Sequence, residues 1–491
     1  MNSRQQLYDL YQDDVDGLIE YCLLIEQQNA ILQRTLDELK EKIAHLKRDS
    51  STSNKPPSSD GPQKKRDDIK RRPSGRKPGG QKGHSGKARP IVPPEKIAAS
   101  IPYKPSHCEQ CHAIFTDKNI MAPVEHHQVW ELPSIEPVIE QHVVYQSQCQ
   151  CGHTTRASVP SWVYSGIGEN AQAVLAYLTA VGQLTRRKTK LLFEHLFNFP
   201  ISVGGIQNRL ENSSKILKPT CHELVEALPD HGPLNIDETS YPHNGGLHWL
   251  WTFANAYFSV FVMNPKRSSK VLKKVLGIRF AGIITCDRFS AYFKFQKDRI
   301  AGIIQLCWAH ILRDIKALRY APDRLSKQPF ALVAKQHIGS VFRLWHAFKA
   351  QKMTRKELIE KTKKPIARLQ RLCEANTDSE HKPVRTLCNG LLKKWQFLFV
   401  FITHDGVEPT NNYAEQILRH GVITRKISYC TRSAAGQLLR ARLLTVIQTC
   451  RIQKRNPLLF FRQAIHAHRH GLSPPSLLPN TEQIPTDEKA A

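Results

Sequence analysis

Three acidic side chains, each tied to the boundary of an expected element, are the residues of this chain best suited to chemistry. Leu234-Asn235-Ile236 reads as a short apolar strand that ends in Asp237-Glu238-Thr239, and Ala281 to Cys286 reads as a buried strand that ends in Asp287. Carboxyl ends of strands are where open α/β sheets gather their sites. A third acid comes from Pro409-Thr410-Asn411-Asn412-Tyr413-Ala414-Glu415. There Thr410 or Asn411 can cap a helix that carries Glu415 about one turn in, with Arg419 a turn further along the same face. Three such carboxylates can hold two Mg²⁺ (or Mn²⁺) ions about 3.5–4 Å apart, one to activate a water or hydroxyl and one to stabilise a leaving oxygen. The chemistry this predicts is phosphoryl transfer. Glu238 is the nearest competitor, but alternation along a strand turns it away from whatever Asp237 faces.

A second metal chemistry is written in sulfur. Cys108-x-x-Cys111 and Cys149-x-Cys151 form two close thiolate pairs, enough for one tetrahedral Zn²⁺, and CQCG supplies a glycine that suits a knuckle turn. Four protein ligands leave no open position, so this zinc is expected to be structural. His107, His112 and His153 flank the pairs and could replace one ligand. Residues 124–147 alternate apolar and polar, which predicts short strands between the knuckles. Cys307-x-x-His310 is a lone pair with no partner nearby in sequence, and reads as packing rather than as a metal site.

The elements that must position these residues follow from periodicity. Residues 248–253 and 257–263 are aromatic and β-branched runs that read as a hairpin, Lys266 to Leu276 suits a helix, and Ile303 to Leu306 is a strand before a helix from about Cys307 to Leu318. Upstream, Ala171 to Leu184, Lys190 to Phe197 and Ile206 to Leu228 show helical spacing, and the short Gly-containing turn between the last two permits a weak helix-turn-helix reading. Near the N-terminus Leu18, Ile25, Leu32, Leu39 and Leu46 recur every seven residues, with Val15, Cys22, Asn29, Leu36 and Ile43 at the other core position. This is a coiled-coil pattern, and a single buried Asn29 favours a parallel dimer in one register.

Charge completes the picture. Lys plus Arg number 71 against 43 acids, a net +28, which implies a polyanionic partner such as nucleic acid. The excess is not in residues 1–50, where six basic side chains face ten acidic ones. It is concentrated after a Ser/Pro linker, in a glycine-rich arm that includes Arg71, Arg72, Arg76, Lys77 and Lys82, suited to following a phosphate backbone. Arg419, Arg425 and Lys426, just past Glu415, are further candidate phosphate contacts. No apolar run is long enough for a membrane span, the N-terminus lacks signal-peptide order, and twelve sparse cysteines, eight of them scattered singly, fit a reducing cytoplasm.

These motifs, in this order, resemble the insertion sequence 66 family of bacterial transposases. The resemblance runs over nearly the whole chain and is carried by RRPSGRKPGGQKGHSG, the paired cysteines, Asp237-Glu238-Thr239, Asp287-x-x-x-x-Tyr292, Cys307-Trp308-Ala309-His310 with Arg313, and Asn411-Asn412-x-Ala414-Glu415. Two departures are Gln416 where the family usually has Arg, and Arg288-Phe289 where it usually has Gly-Tyr. The resemblance implies a ribonuclease-H-like core with Asp237, Asp287 and Glu415 as its metal-binding triad. It also implies a helical insertion before the glutamate helix, in which Trp345 and Trp395 are expected as core anchors.

The expected organisation is therefore a multidomain α/β chain. It comprises a coiled coil (1–48), a linker and basic arm (49–100), a zinc module (101–160) and a helical DNA-binding region (161–230). A ribonuclease-H-like catalytic domain (231–430) with a helical insertion at about 320–400 follows, then a C-terminal helical segment with a disordered tail (431–491). The expected function is metal-dependent 3′-end cleavage and strand transfer of an insertion sequence. The partners would be transposon ends, target DNA, further copies of the chain and small accessory proteins of the same element. The alternatives are a zinc and coiled-coil DNA-binding regulator without catalysis, and a structure-specific nuclease on the same fold.

Overall fold

A computed structural model describes residues 15–46, 89–299, 302–318 and 324–479. The basic-arm candidates Arg71, Arg72, Arg76, Lys77 and Lys82 lie outside these residues. The chain divides into two compact units. One comprises Met1–Asp60, Val138–His195 and Phe199–Ala491, and the other Gly61–Pro137 with Leu196–Asn198.

In the smaller unit, Cys108 and Cys111 sit on a tight turn. Cys108 N–H donates to Ala113 O (2.9 Å), His112 N–H donates back to Cys108 O (2.9 Å), and His112 takes a left-handed φ of 59°. The expected strands of 124–147 do not form before Gln146: Val124, Val129, Leu132 and Val138 are all exposed. Pro123, Pro133 and Pro137 interrupt this stretch and remove ladder donors, so alternation alone found no partner.

In the larger unit, α1 (Val15–Leu46) is a 32-residue helix, about 48 Å long at 1.5 Å per residue. Its described heptad side chains, among them Ile25, Leu32, Leu36, Leu39 and Ile43, are exposed in the single chain. Strands β1 (Gln146–Gln148) and β2 (Thr154–Arg156) form a small hairpin around Cys149-Gln150-Cys151-Gly152. The helical region holds α2 (Glu169–Ala180), α3 (Arg186–Phe197), α4 (Val203–Ile216) and α5 (Lys218–Ala227). The single helix expected over 206–228 is two, because Pro219 in the first turn of α5 lacks the N–H that continuation would require. Gly204 and Gly205 are not the turn; they lie in the first turn of α4, where Ser202 Oγ accepts from Gly205 N (3.0 Å).

A five-stranded mixed sheet positions the carboxylates. Its strands are β3 (Leu234–His243), β4 (Gly246–Ala254), β5 (Ser259–Asn264), β6 (Ile283–Cys286) and β7 (Ile303–Leu306), in spatial order β5-β4-β3-β6-β7. β3, β4 and β5 are antiparallel neighbours, whereas β3, β6 and β7 run parallel. Helices α6 (Ser269–Leu276) and α7 (Ser290–Asp298) flank β6 in sequence, and α8 (Trp308–Leu318) follows β7. β3 is longer than its apolar start suggests. Asn244-Gly245, both at positive φ (45° and 78°), make a two-residue turn that lets β3 and β4 pair from Asn235↔Ala254 out to His243↔Gly246. Asp237 is thus inside a strand rather than at its end.

Both sheet edges are covered by side chains. On β5, Ser259 N and Phe261 N donate to Thr449 Oγ1 and Thr445 Oγ1 (3.1 and 3.0 Å) of α14 (Ala434–Ile452). On β7, Gln305 binds Phe401 N and Leu398 O (3.0 and 3.1 Å), so its amide imitates a strand partner. Between α8 and that segment lie α9 (Arg324–Lys349), α10 (Arg355–Glu374) and α11 (Lys382–Leu392); Trp345 is buried and Trp395 half-buried. A short α12 (Val400–Thr403) leads to α13 (Asn412–Ser428), and α15 (Pro457–Arg469) follows α14. The tail expected to be disordered from Leu472 is ordered over its described residues, 472–479: Leu477 is fully buried, and its carbonyl accepts from Gln453 Nε2 (2.7 Å); the rest of the tail lies outside the described residues. Among the described residues, no helix is long and apolar enough to cross a membrane.

Candidate active site at the end of the parallel strands

Parallel pairing between β3 and β6 stops at Asn235↔Thr285. Asp237 lies just beyond that point on β3, and Asp287 just beyond the end of β6, so the strands deliver two carboxyls where their ladder opens. Asp287 is steadied by its own turn, its Oδ1 accepting from Phe289 N (2.8 Å). Asn411 brings in the third segment. It is 1% exposed, its Nδ2 donates to Ile236 O (2.8 Å) beside Asp237, and its backbone N donates to Cys307 Sγ (3.1 Å). Asn411 holds the N-cap position of α13 without a side-chain cap bond, because its amide is committed to β3. Glu415 follows in the first turn.

The acids sense one another. Asp237 keeps some accessible surface, yet desolvation is the first cause that raises its carboxyl well above the usual range, followed by repulsion from Glu238, Glu415 and Asp287. Asp287 and Glu415 are also raised, chiefly by burial; Arg267, Arg288 and Lys394 oppose this at Asp287, and Arg313 and Arg419 at Glu415. The three carboxyls share a neighbourhood but not yet a cage. Among the described residues, three ligating atoms lie within 4.8 Å of one another in only two groups, Cys307 with His310 and Glu415, and Glu169 with His466 and His470. The triad is not one of them, because Glu415 turns toward α8: its Oε1 is 3.8 Å from His310 Nε2 and its Oε2 is 3.6 Å from Arg313.

Glu238 is not turned away from this chemistry as strand alternation suggests. Its side chain is 1% exposed, Oε1 accepts from Arg267 (2.7 Å), and Oε2 accepts from the Tyr292 hydroxyl. Burial, with repulsion from Asp287 second, pushes its carboxyl up to about 7 despite Arg267 and Tyr292. Arg267 had no sequence signal. Its guanidinium lies 3.9 Å from the Phe289 ring centroid and 4.8 Å from that of Trp249, and is 3.9 Å from Asp287 Oδ2. A cation already sits beside two of the acids, held by aromatic faces.

The other predicted contacts divide. Arg419 and Lys426 are exposed on α13 and open to a polyanion, whereas Arg425 is half-buried and spent on β3, where it donates to Thr239 Oγ1 and Ser240 Oγ (3.0 Å each) and to Ser240 O. His310, discounted on sequence, is half-buried beside Glu415. Burial, then Arg313 and Arg288, lowers its pKa to about 4, so the ring is neutral near pH 7. At the knuckles, Cys108 is held below the usual thiol range by the Cys111 and then the Gln110 backbone N–H, and Cys149 by the Cys151 backbone N–H and thiol. Cys108 and Cys149 are thereby biased toward the thiolate, the form that binds metal.

Asn411→Ala is expected to cost about 1–3 kcal/mol in urea unfolding, because it leaves the Ile236 carbonyl without its amide donor. Asn411→Asp, which keeps the shape but not the donor, should cost at least as much. A neutral result for both would mean that Asn411 does not tie α13 to β3.

Comparison with known proteins places these features. Residues 8–90 match a family of unknown function. An uncharacterized protein, y4qI, of Sinorhizobium fredii (strain NBRC 101917 / NGR234) is 28% identical over 200 residues, covering 38% of this chain and 36% of that protein. The chain thus spans little more than a third of the length of that relative. Residues 166–438, more than half of the chain and all of the sheet with its three acids, match the transposase IS66 family. The chain belongs to the IS66 family of transposases.

Proposed function

We propose that the chain is a DNA transposase that hydrolyses the phosphodiester at the 3′ end of an insertion sequence and then joins the released hydroxyl to target DNA. Asp237, Asp287 and Glu415 would hold the divalent cations. The observation that carries this reading is geometric: Asp237 and Asp287 lie just beyond the last parallel pair of the sheet, and Asn411 ties the helix of Glu415 to β3 beside them, so that both acids raise the Asp237 carboxyl. Their donor set is all oxygen, as hard cations prefer, and Glu415 Oε1 is a buried acceptor without a hydrogen-bond donor. Bound Mg²⁺ would supply Lewis acidity toward the phosphate oxygens and lower the pKa of a nucleophilic water. The chain's own residues orient and neutralise: Arg267 balances Glu238 and Asp287, Arg313 balances Glu415, and exposed Arg419 and Lys426 meet the DNA backbone.

The strand order, three antiparallel strands continued by two parallel ones with a helix bearing the last acid, supports a ribonuclease-H-like core. From sequence spacing and charge alone we assign a structural Zn²⁺ to Cys108, Cys111, Cys149 and Cys151, and DNA contact to the arm with Arg71, Arg72, Arg76, Lys77 and Lys82. Parallel self-association is assigned to α1, whose heptad side chains are exposed in the single chain. The test uses full-length protein, Mg²⁺, supercoiled target plasmid and a pre-cleaved fragment bearing the terminal repeats that flank the gene. Joined product is expected. Cutting without joining would replace this reading with a nuclease, and DNA binding with neither would replace it with a regulator.

A further inference from the structure

We propose that Cys307, His310 and Glu415 form a second cation site, one that takes a thiophilic divalent ion such as Zn²⁺ or Co²⁺ rather than Mg²⁺. One sulfur, one imidazole nitrogen and one carboxylate oxygen already lie within 4.8 Å of one another. Ligands bound to a single tetrahedral ion at about 2.0–2.3 Å stand roughly 3.3–3.8 Å apart, so side-chain rotations alone can close the set. The backbone needs no change, because rigid elements supply every donor. Cys307 immediately precedes α8 and is pinned by its N–H to Cys286 O (2.8 Å), His310 lies in the first turn of α8, and Glu415 lies in the first turn of α13.

A second observation points to a ligand here. His310 Nδ1, Glu415 Oε1 and Asn411 Oδ1 are all buried without a hydrogen-bond partner, and Asn411 also contacts Cys307 Sγ through its backbone N. Buried polar atoms are rarely left unpaired, and three on residues that meet beside Cys307 mark a place for something that accepts lone pairs. Charge is consistent with a divalent ion. A thiolate and a carboxylate balance it, and Arg313 remains on Glu415 Oε2. Soft sulfur and borderline nitrogen select against Mg²⁺. Three protein ligands leave a fourth position open, unlike the four-thiolate site assigned to the knuckles.

The consequence for catalysis rests on the role proposed above for Glu415; the site itself does not. An ion here would hold Glu415 by Oε1 in the rotamer that turns toward α8, with Oε2 on Arg313, and so would compete with its part in the triad.

The experiment is Co²⁺ reconstitution of metal-free, full-length protein in which Cys108, Cys111, Cys149 and Cys151 are all serine. This removes the knuckle thiolates from the spectrum. A thiolate-to-cobalt band with one equivalent bound is expected, lost on adding Cys307→Ser or His310→Gln while circular dichroism stays native. Absence of the band, or its survival in Cys307→Ser, overturns the proposal. Should the serine background fail to fold, zinc per chain by elemental analysis decides between wild type and His310→Gln. One equivalent less supports the site, and equal content overturns it. Asp287→Asn, outside this ligand set, should keep the cobalt band whether or not it abolishes DNA joining, so failure of the catalytic reading would be seen separately.

Discussion

Asp287→Asn is expected to lower both 3′-end hydrolysis and strand transfer by at least about a thousandfold, the equivalent of roughly 4 kcal/mol of transition-state stabilisation. DNA affinity should stay within about twofold. The substitution is nearly isosteric, and asparagine Oδ1 can still accept from Phe289 N, so the turn after β6 survives. It removes a charge that raises Glu238 and Asp237, so the protein should unfold no more easily than wild type in the absence of metal. Arg267 loses one partner at 3.9 Å but keeps the closer one, Glu238. Stability and binding retained with chemistry lost is the pattern of a metal ligand. Joining at near wild-type rate would remove Asp287 from the proposed site, whatever the protein's family.

Why that aspartate could be read from sequence, and its neighbours less well, is a matter of where local pattern carries information. β6 and β7 are short apolar runs bounded by turn-forming residues, and Asp287 follows β6 with no further strand signal. Asp237 was harder. Its apolar run ends at Ile236, but β3 continues because Asn244-Gly245, itself a hairpin signal in the sequence, turns the strand back on β4. Asp237 still reaches the opening because the parallel partner stops short while the antiparallel one goes on. Alternation alone sets Glu238 apart from Asp237, but Asp287 arrives from the next strand and Arg267 from the loop before α6, so Glu238 meets the same charges. Nothing local announces Arg267. Cys307 and His310 were visible as a spacing, but their partner Glu415 lies on another helix and is brought near through Asn411, a tertiary link that no window of sequence contains.

Mg²⁺ is expected to protect the protein against heat far more at pH 8 than at pH 5.5. Asp237, Glu238, Asp287 and Glu415 all have carboxyls raised above their unfolded values. A raised folded pKa means that the folded state keeps protons which the unfolded chain has released. The stabilisation is complete below the unfolded pKa and is lost as pH climbs through the folded one. For Glu238 that window runs from 4.5 to about 7, worth roughly 3 kcal/mol. His310 acts in the opposite sense: held at about 4 against 6.5, it withdraws stability as pH falls through that interval. A melting temperature alone mixes the two effects. The increment on adding Mg²⁺ isolates the acids, because a cation competes with their protons and not with that of His310. At a metal concentration near a hundred times its Kd, the increment at pH 8 should be about 2.7 kcal/mol, seen as roughly 3–5 °C in a chain of this size. At pH 5.5 it should fall below a third of that, and Asp287→Asn should remove most of it at either pH. An increment equal at both pH values would show that the cation binds elsewhere, and the carboxyls at the opening of the sheet would be left as a charge cluster balanced by Arg267 and Arg313 alone.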